Sequence, residues 1–266
     1  MPKKSRSAKL EPGEIRDYDQ FLSKKGFTRK LKPRTIFGID QPFNLYICGK
    51  KGTGKTNLTC ALIFEHQKFD NIVYVAQKIE EDKLMDILVP GLNYDDEGEE
   101  KEEPVVRLMT DKEFMLYNDG EPFNIDTDFN YDDPETQNLI VFDDATKYSK
   151  ELKSLIEDII IRCRKNNISL IVISHTYHMV SPIIRNNMDA MALFRQGDKH
   201  QRQTLVNELA GEVLPKEEIA ECFRKATADG HGFLFVDQRY GDENIPRYIR
   251  KNLNMGWKKI DWSNVI

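Results

Sequence analysis

An apolar run from Phe43 to Cys48 leads directly into Gly49-Lys50-Lys51-Gly52-Thr53-Gly54-Lys55-Thr56, a stretch that fits GxxxxGK[ST]. The residues after it, Thr56 to Gln67, carry Leu58, Ala61 and Leu62 at helical spacing. Buried strand, glycine-rich loop and helix therefore arrive in a fixed order, and that order defines a phosphate-binding loop. The glycines let the backbone curl until consecutive N–H groups face one concavity, and the helix adds its positive N-terminal end. In such a loop Lys55 reaches the β and γ phosphates of a nucleotide and the Thr56 hydroxyl ligates Mg²⁺. The expected nucleotide-binding residues are Gly49, Lys50, Lys51, Gly52, Thr53, Gly54, Lys55, Thr56 and the following Asn57.

Strand-like and helical patterns alternate along the rest of the chain. Asn71 to Ala76 is a second apolar run, followed by an amphipathic stretch with Ile79, Leu84, Ile87 and Leu88. Pro104 to Met109 is a shorter strand and Asp111 to Tyr117 a short helix, whereas Asn118 to Pro134 is rich in Asp, Asn, Gly and Pro and is expected to be an irregular insertion. Leu139 to Phe142 ends in Asp143-Asp144, the pattern of a central parallel strand that delivers carboxylates to its C-terminal edge. Ser149 to Lys165 places Leu152, Leu155, Ile156, Ile159, Ile160 and Cys163 on one helical face, with Asn166-Asn167 as the stop. Ile168 to Ser174 is another buried strand, Ala190 to Phe194 and Gly232 to Asp237 complete the sheet, and Pro215 opens a helix that Gly230 closes. Such alternation means a mainly parallel sheet covered on both faces, an α/β domain spanning 35–240 with an acidic insertion near 93–135. Residues 1–34 form a basic arm and 241–266 a C-terminal tail.

Composition excludes several classes. With 266 residues, of which 39% are hydrophobic, the chain has enough apolar material for a sizeable core. No run approaches the ~20 apolar residues of a membrane span, and MPKKSRSAKL lacks the apolar centre of a signal peptide. Cys48, Cys60, Cys163 and Cys222 are scattered without a CxxC pair, which fits small buried hydrophobes in a reducing compartment. A net charge of -5 argues against coating nucleic acid by bulk electrostatics, though not against a local grip on DNA. The basic arm could touch phosphates, serve as a nuclear address or be a solvated tail, and Tyr94 to Glu103 is too charged to pack.

Around the phosphates, Asp143 stands where a metal-holding aspartate belongs, opposite Thr56. A second carboxylate, Asp144, can orient and deprotonate an attacking water; its alternative is a helix N-cap. Ser174 or His175, at the end of the strand that follows the Asp143 helix, is expected near the γ-phosphate. Arg162 and Arg164 end the preceding helix, where they could simply meet the negative end of its dipole.

The order of these motifs, GKKGTGKT, then LIVFDDA, then IIRCRKNNISLIVISHTYHMVSPIIRNN, resembles the FtsK/HerA superfamily of DNA-pumping ATPases, and within it the poxvirus-type genome-packaging ATPases of large DNA viruses. The similarity covers about Phe43 to Arg195. It implies a RecA-like P-loop NTPase fold of the ASCE type, ATP and Mg²⁺ as cofactors, and a pentameric or hexameric ring that pumps double-stranded DNA into a capsid with a capsid or portal partner. It makes Arg164 the leading arginine finger toward a neighbouring subunit's ATP, with Arg162 second, and makes His175 the sensor. Arg185 fits a further motif position. The family usually has Gln in place of His175, and much of the superfamily has Glu where this chain has Asp144, although poxvirus-type members resemble this chain there. The implied location is the host cytoplasm, the virion or the nucleus. A HerA-like translocase or helicase and a nucleotide-gated switch without motor activity remain as alternatives, and the absence of an NKxD motif disfavours GTP.

Overall fold

The computed structural model describes residues 41–63, 69–79, 93, 105–129, 136–211, 214–239 and 249–252. The basic arm, most of the amphipathic stretch after Ile79, and the charged run from Tyr94 to Glu103 lie outside the described residues.

Eight strands among the described residues form one sheet: β1 (Asn44–Cys48), β2 (Asn71–Ala76), β3 (Val106–Thr110), β4 (Asn138–Phe142), β5 (Ile168–Ser174), β6 (Ala190–Phe194), β7 (Phe233–Asp237) and β8 (Ile249–Lys251), in the order β3-β2-β4-β5-β1-β6-β7-β8. All pairings from β3 to β6 are parallel, and β7 and β8 return antiparallel. The expected α/β class with a mainly parallel sheet is thus what the chain adopts.

Every residue of β1, β4, β5, β6 and β7 is buried, so these strands appear in the sequence as mostly apolar runs and not as alternating ones, with Asn44, Asn138, Ser169, Ser174 and Asp237 as the polar exceptions. Alternate side chains still divide between two cores. On one face Tyr46, Ile140, Phe142, Leu170 and Val172 pack with Leu152, Ile156, Ile159 and Ile160 of helix α3 (Lys150–Arg162). On the other, Leu45, Ile47, Leu139, Val141, Ile171 and Ile173 meet Leu58 of helix α1 (Lys55–Ala61) and the adjoining Leu62.

Several local features differ from the sequence expectation. The short helix α2 (Asp111–Met115) opens on a Thr110–Glu113 capping box, and the segment after it is irregular as expected through Phe129, yet it reaches the core. Its Phe123, Ile125 and Phe129 are buried, and Phe123 stacks on Phe114 with centroids 5.3 Å apart. Irregular backbone here carries core side chains. Helix α4 (Pro182–Asn186) joins β5 to β6, and helix α5 (Lys199–Leu209), capped by Asp198, lies where no helix was expected. Helix α6 (Lys216–Ala226) begins after Pro215 as anticipated, but it ends at Thr227, whose hydroxyl bonds back to Phe223 O at 2.8 Å; Gly230 belongs to the turn before β7. The stretch assigned to the C-terminal tail supplies β8, where buried Arg250 pairs with buried Asp237 at 3.2 Å. Among the described residues no helix is long and apolar enough to cross a membrane.

Candidate nucleotide site

Strand order assembles the site. β5 lies between β1 and β4, in a register that sets Cys48 beside Ser174 and Phe142 beside Val172. The loop after β1, the residue after β5 and the acids after β4 therefore emerge side by side at the C-terminal edge of the sheet, where ligands of open α/β sheets bind. The loop is pinned by both neighbours: Gly49 N donates to Ser174 O at 3.2 Å, and Lys50 N to Arg195 O at 3.1 Å. A Cβ on Gly49 would lie 2.4 Å from Phe194 Cβ, so only glycine lets the loop descend this close to β6. Gly54 turns the chain into α1 at φ 98, a left-handed geometry that disfavours any side chain.

The functional side chains gather along a cleft of about 690 Å³. Lys55 is 7% exposed, and its ammonium, which can only donate, bonds to Lys50 O at 3.2 Å and His175 Nδ1 at 2.8 Å. Burial pulls the Lys55 pKa down, against the pull of Asp143, Cys48 and Asp144. Because His175 Nδ1 accepts, the neutral ring carries its proton on Nε2, 3.8 Å from Asp144 Oδ2. Burial and then the Lys55 cation hold the His175 pKa below its ordinary value, which favours that neutral form.

The two aspartates differ in environment. Asp143 accepts a hydrogen bond from Tyr74 Oη at 2.6 Å, while Tyr148 Oη donates to the backbone oxygens of Asp143 at 2.6 Å and Val75 at 2.7 Å. Burial raises the Asp143 pKa despite Tyr74 and Lys55. Asp144 sits at φ 56 in the N-cap position of a one-turn 3₁₀ helix, and its side chain makes no capping hydrogen bond there. Its carboxylate is held by Thr146 Oγ1 at 2.9 Å and by the Lys147 ammonium. Partial burial works to raise its pKa, but Lys147, Thr146 and His175 outweigh that and leave it low. Asp143 and Thr56 both line the cleft and offer the carboxylate and hydroxyl oxygens that suit a hard divalent cation. A carboxylate raised by burial is one that a cation would favourably neutralise.

The arginines lie elsewhere. Arg164 precedes β5, whereas Lys55 and His175 stand at its far end; seven residues at ~3.3 Å each put roughly 20 Å between them. Its guanidinium, half exposed, pairs with Asp189 at 2.9 Å, whose other oxygen accepts from Asn44 N at 2.8 Å. Arg162 pairs with Asp126 on the surface at 2.6 Å. Neither reaches the cleft of its own chain. Arg185 is buried, bonded to Glu208 at 2.6 and 2.9 Å, and lies over the Tyr177 ring, so it ties α4 to α5. Tyr74, Tyr148, Lys147 and His231, all at or beside the site, were not singled out from the sequence; only their positions within, after or, for His231, before neighbouring strands place them there.

Fold and loop together define an α/β protein with a mainly parallel sheet, whose first strand leads into a loop of the phosphate-binding pattern. No family model and no curated protein matches the sequence. Among solved structures the chain is similar to the DNA-packaging ATPase B204 of Sulfolobus turreted icosahedral virus, at 14% identity and a TM-score of 0.53 over 80% of this chain and 98% of that one. It is likewise similar to the genome-packaging NTPase B204 of Sulfolobus turreted icosahedral virus 2, solved with ATP-γS, at 13% identity and a TM-score of 0.54 over 79% and 96%. At such identity the likeness is one of fold, and it is a fold shared with viral packaging ATPases.

Proposed function

We propose that the protein binds ATP with Mg²⁺ and hydrolyses it to move double-stranded DNA into a viral capsid, working as a ring. The observation that carries this reading is the insertion of β5 between β1 and β4, which brings Lys55, His175 and Asp144 into one contact chain. Lys55 exchanges His175 and the Lys50 carbonyl for phosphate oxygens. His175 thereby registers whether the γ-phosphate is present, since its Nδ1 partner is then withdrawn. Asp144, ionised at neutral pH, accepts a proton from the attacking water and fixes its direction. Asp143 and Thr56 would hold the metal, with Tyr74 fixing the Asp143 carboxylate; Mg²⁺ would supply positive charge to the phosphate oxygens.

Because Arg164 cannot reach its own cleft, it is assigned to a neighbouring subunit's γ-phosphate, which makes assembly a condition of turnover. The capsid as destination rests on the motif resemblance and on the fold shared with packaging ATPases. Steady-state ATPase measurements with and without duplex DNA test the reading: DNA should stimulate turnover. An unresponsive ATPase would leave only an enzyme uncoupled from DNA, and nucleotide binding without hydrolysis would indicate a switch.

A further inference from the structure

The cleft extends past the phosphate loop to His231, which comes from the turn before β7 and is used by none of the chemistry above. A Cβ built on Gly54 would lie 3.4 Å from His231 Nδ1, so the imidazole sits directly against the loop. The turn that carries it is braced: Gly232 N donates to Asp229 O at 3.1 Å, Lys251 pairs with Asp229 at 2.6 Å, and Phe233 N donates to Asn252 Oδ1 at 2.9 Å. Beneath the loop, the Phe194 and Phe233 rings meet at a tilt of 42° with centroids 4.7 Å apart.

Position across the sheet gives this imidazole its assignment. Along β4-β5-β1-β6-β7, the acids follow β4, His175 follows β5, the phosphate loop follows β1, and His231 precedes β7, which runs antiparallel and so begins at the same edge. Four inter-strand steps of ~4.8 Å separate the two ends of this row by roughly 19 Å. A triphosphate whose γ end faces Asp144 and whose middle lies on the loop must run its other end toward β6 and β7. Building on the nucleotide-binding reading above, we infer that His231 forms the nucleoside end of the site, with its imidazole packed against the base.

Titration calorimetry with two probes, ATP and inorganic tripolyphosphate, separates this role from the rest of the site. In His231→Ala, ATP affinity should fall about tenfold, within the range that loss of one base–aromatic stack produces, while tripolyphosphate affinity stays at the parent value. His231→Phe, which keeps an aromatic face, should restore most of the ATP affinity. Equal loss for both probes would assign His231 to the phosphates or to loop support, and no loss for either would remove it from the site; each result overturns the inference. Lys55→Ala is the independent control, since it should weaken both probes. If it weakens neither, the phosphate-loop reading itself fails, whatever His231 does.

Discussion

The Lys55 ammonium donates to His175 Nδ1 over 2.8 Å, joining the lysine of the phosphate loop to the residue that follows the neighbouring strand. The same imidazole turns its other nitrogen toward Asp144 at 3.8 Å. A change at any one of the three is therefore felt by the other two, and their variants should differ in kind.

Lys55→Ala should lower ATP affinity by at least about tenfold, the loss expected when a charged donor to phosphate is removed, and should abolish hydrolysis. The fold should survive, because Lys55 donates only to Lys50 O and to His175 among its resolved hydrogen bonds. Equilibrium binding of a fluorescent ATP analogue, alongside circular dichroism, checks both parts. Parent-like binding and turnover would remove the phosphate-loop assignment.

Asp144→Asn and Asp143→Asn should separate. The first should keep Mg²⁺-dependent ATP binding and lose turnover by about 10² to 10⁴, since the amide preserves shape but accepts no proton. The second should lose the Mg²⁺ dependence of binding, because the amide still accepts from Tyr74 Oη but carries no charge for a cation. Binding isotherms across a Mg²⁺ series, paired with single-turnover rates, measure the two effects. Indistinguishable Mg²⁺ profiles for the two variants would contradict the division of roles.

Acid should weaken the protein through His175. Burial and the Lys55 cation lower its folded-state pKa, so the folded chain binds that proton less tightly than the unfolded chain does. The stabilisation from the neutral ring is complete above the ordinary value of about 6.5 and is lost as pH falls through the lowered folded value. Asp143, raised by burial, contributes a slope of opposite sign, so the comparison must be with His175→Gln, which leaves Asp143 in place. Thermal unfolding from about pH 7.5 down to about 5 should cost the parent more than the variant. Parallel curves would mean that burial and Lys55 do not hold His175 neutral.

Much of this site was legible in the sequence because its parts are local: a loop motif after one apolar run, paired acids after another, a polar residue after a third. Burial on both faces made the central strands continuous apolar runs, so their existence could be read as well. What escaped depends on partners brought from far away. Helix α5, KHQRQTLVNEL, buries only Leu205, Val206 and Leu209 and shows little periodicity, though Asp198 three residues before Gln201 was a usable cap signal. Phe123 and Phe129 sit in a turn-rich stretch whose composition points to the surface, yet they close a core with Phe114 and, through it, Phe142. The hydroxyls of Tyr74 and Tyr148 lie in or near apolar runs, and their common target Asp143 becomes visible only once β2 and β4 are paired. Arg250 looks like an exposed tail residue until Asp237 of β7 is placed beside it.

Arg164→Ala should lower turnover by about 10³ or more while leaving ATP binding to isolated subunits intact. Its pairing with Asp189 supplies the competing explanation, that the arginine only anchors the chain before β5 to the start of β6 and, through Asn44, of β1. Asp189 keeps its bond from Asn44 N when the guanidinium is removed, so the variant should remain folded, and its thermal midpoint reports on the anchoring role alone. Complementation then separates the two explanations. In rings mixed from Arg164→Ala and Asp144→Asn subunits, some interfaces pair an intact arginine on one chain with an intact water-orienting acid on the next, and partial ATPase activity should return in proportion to those interfaces. An anchoring arginine predicts no such recovery, because every subunit would carry its own defect. If co-assembled mixtures stay as inactive as either parent variant, Arg164 does not act across the subunit boundary, and the requirement for a ring loses the residue that supports it.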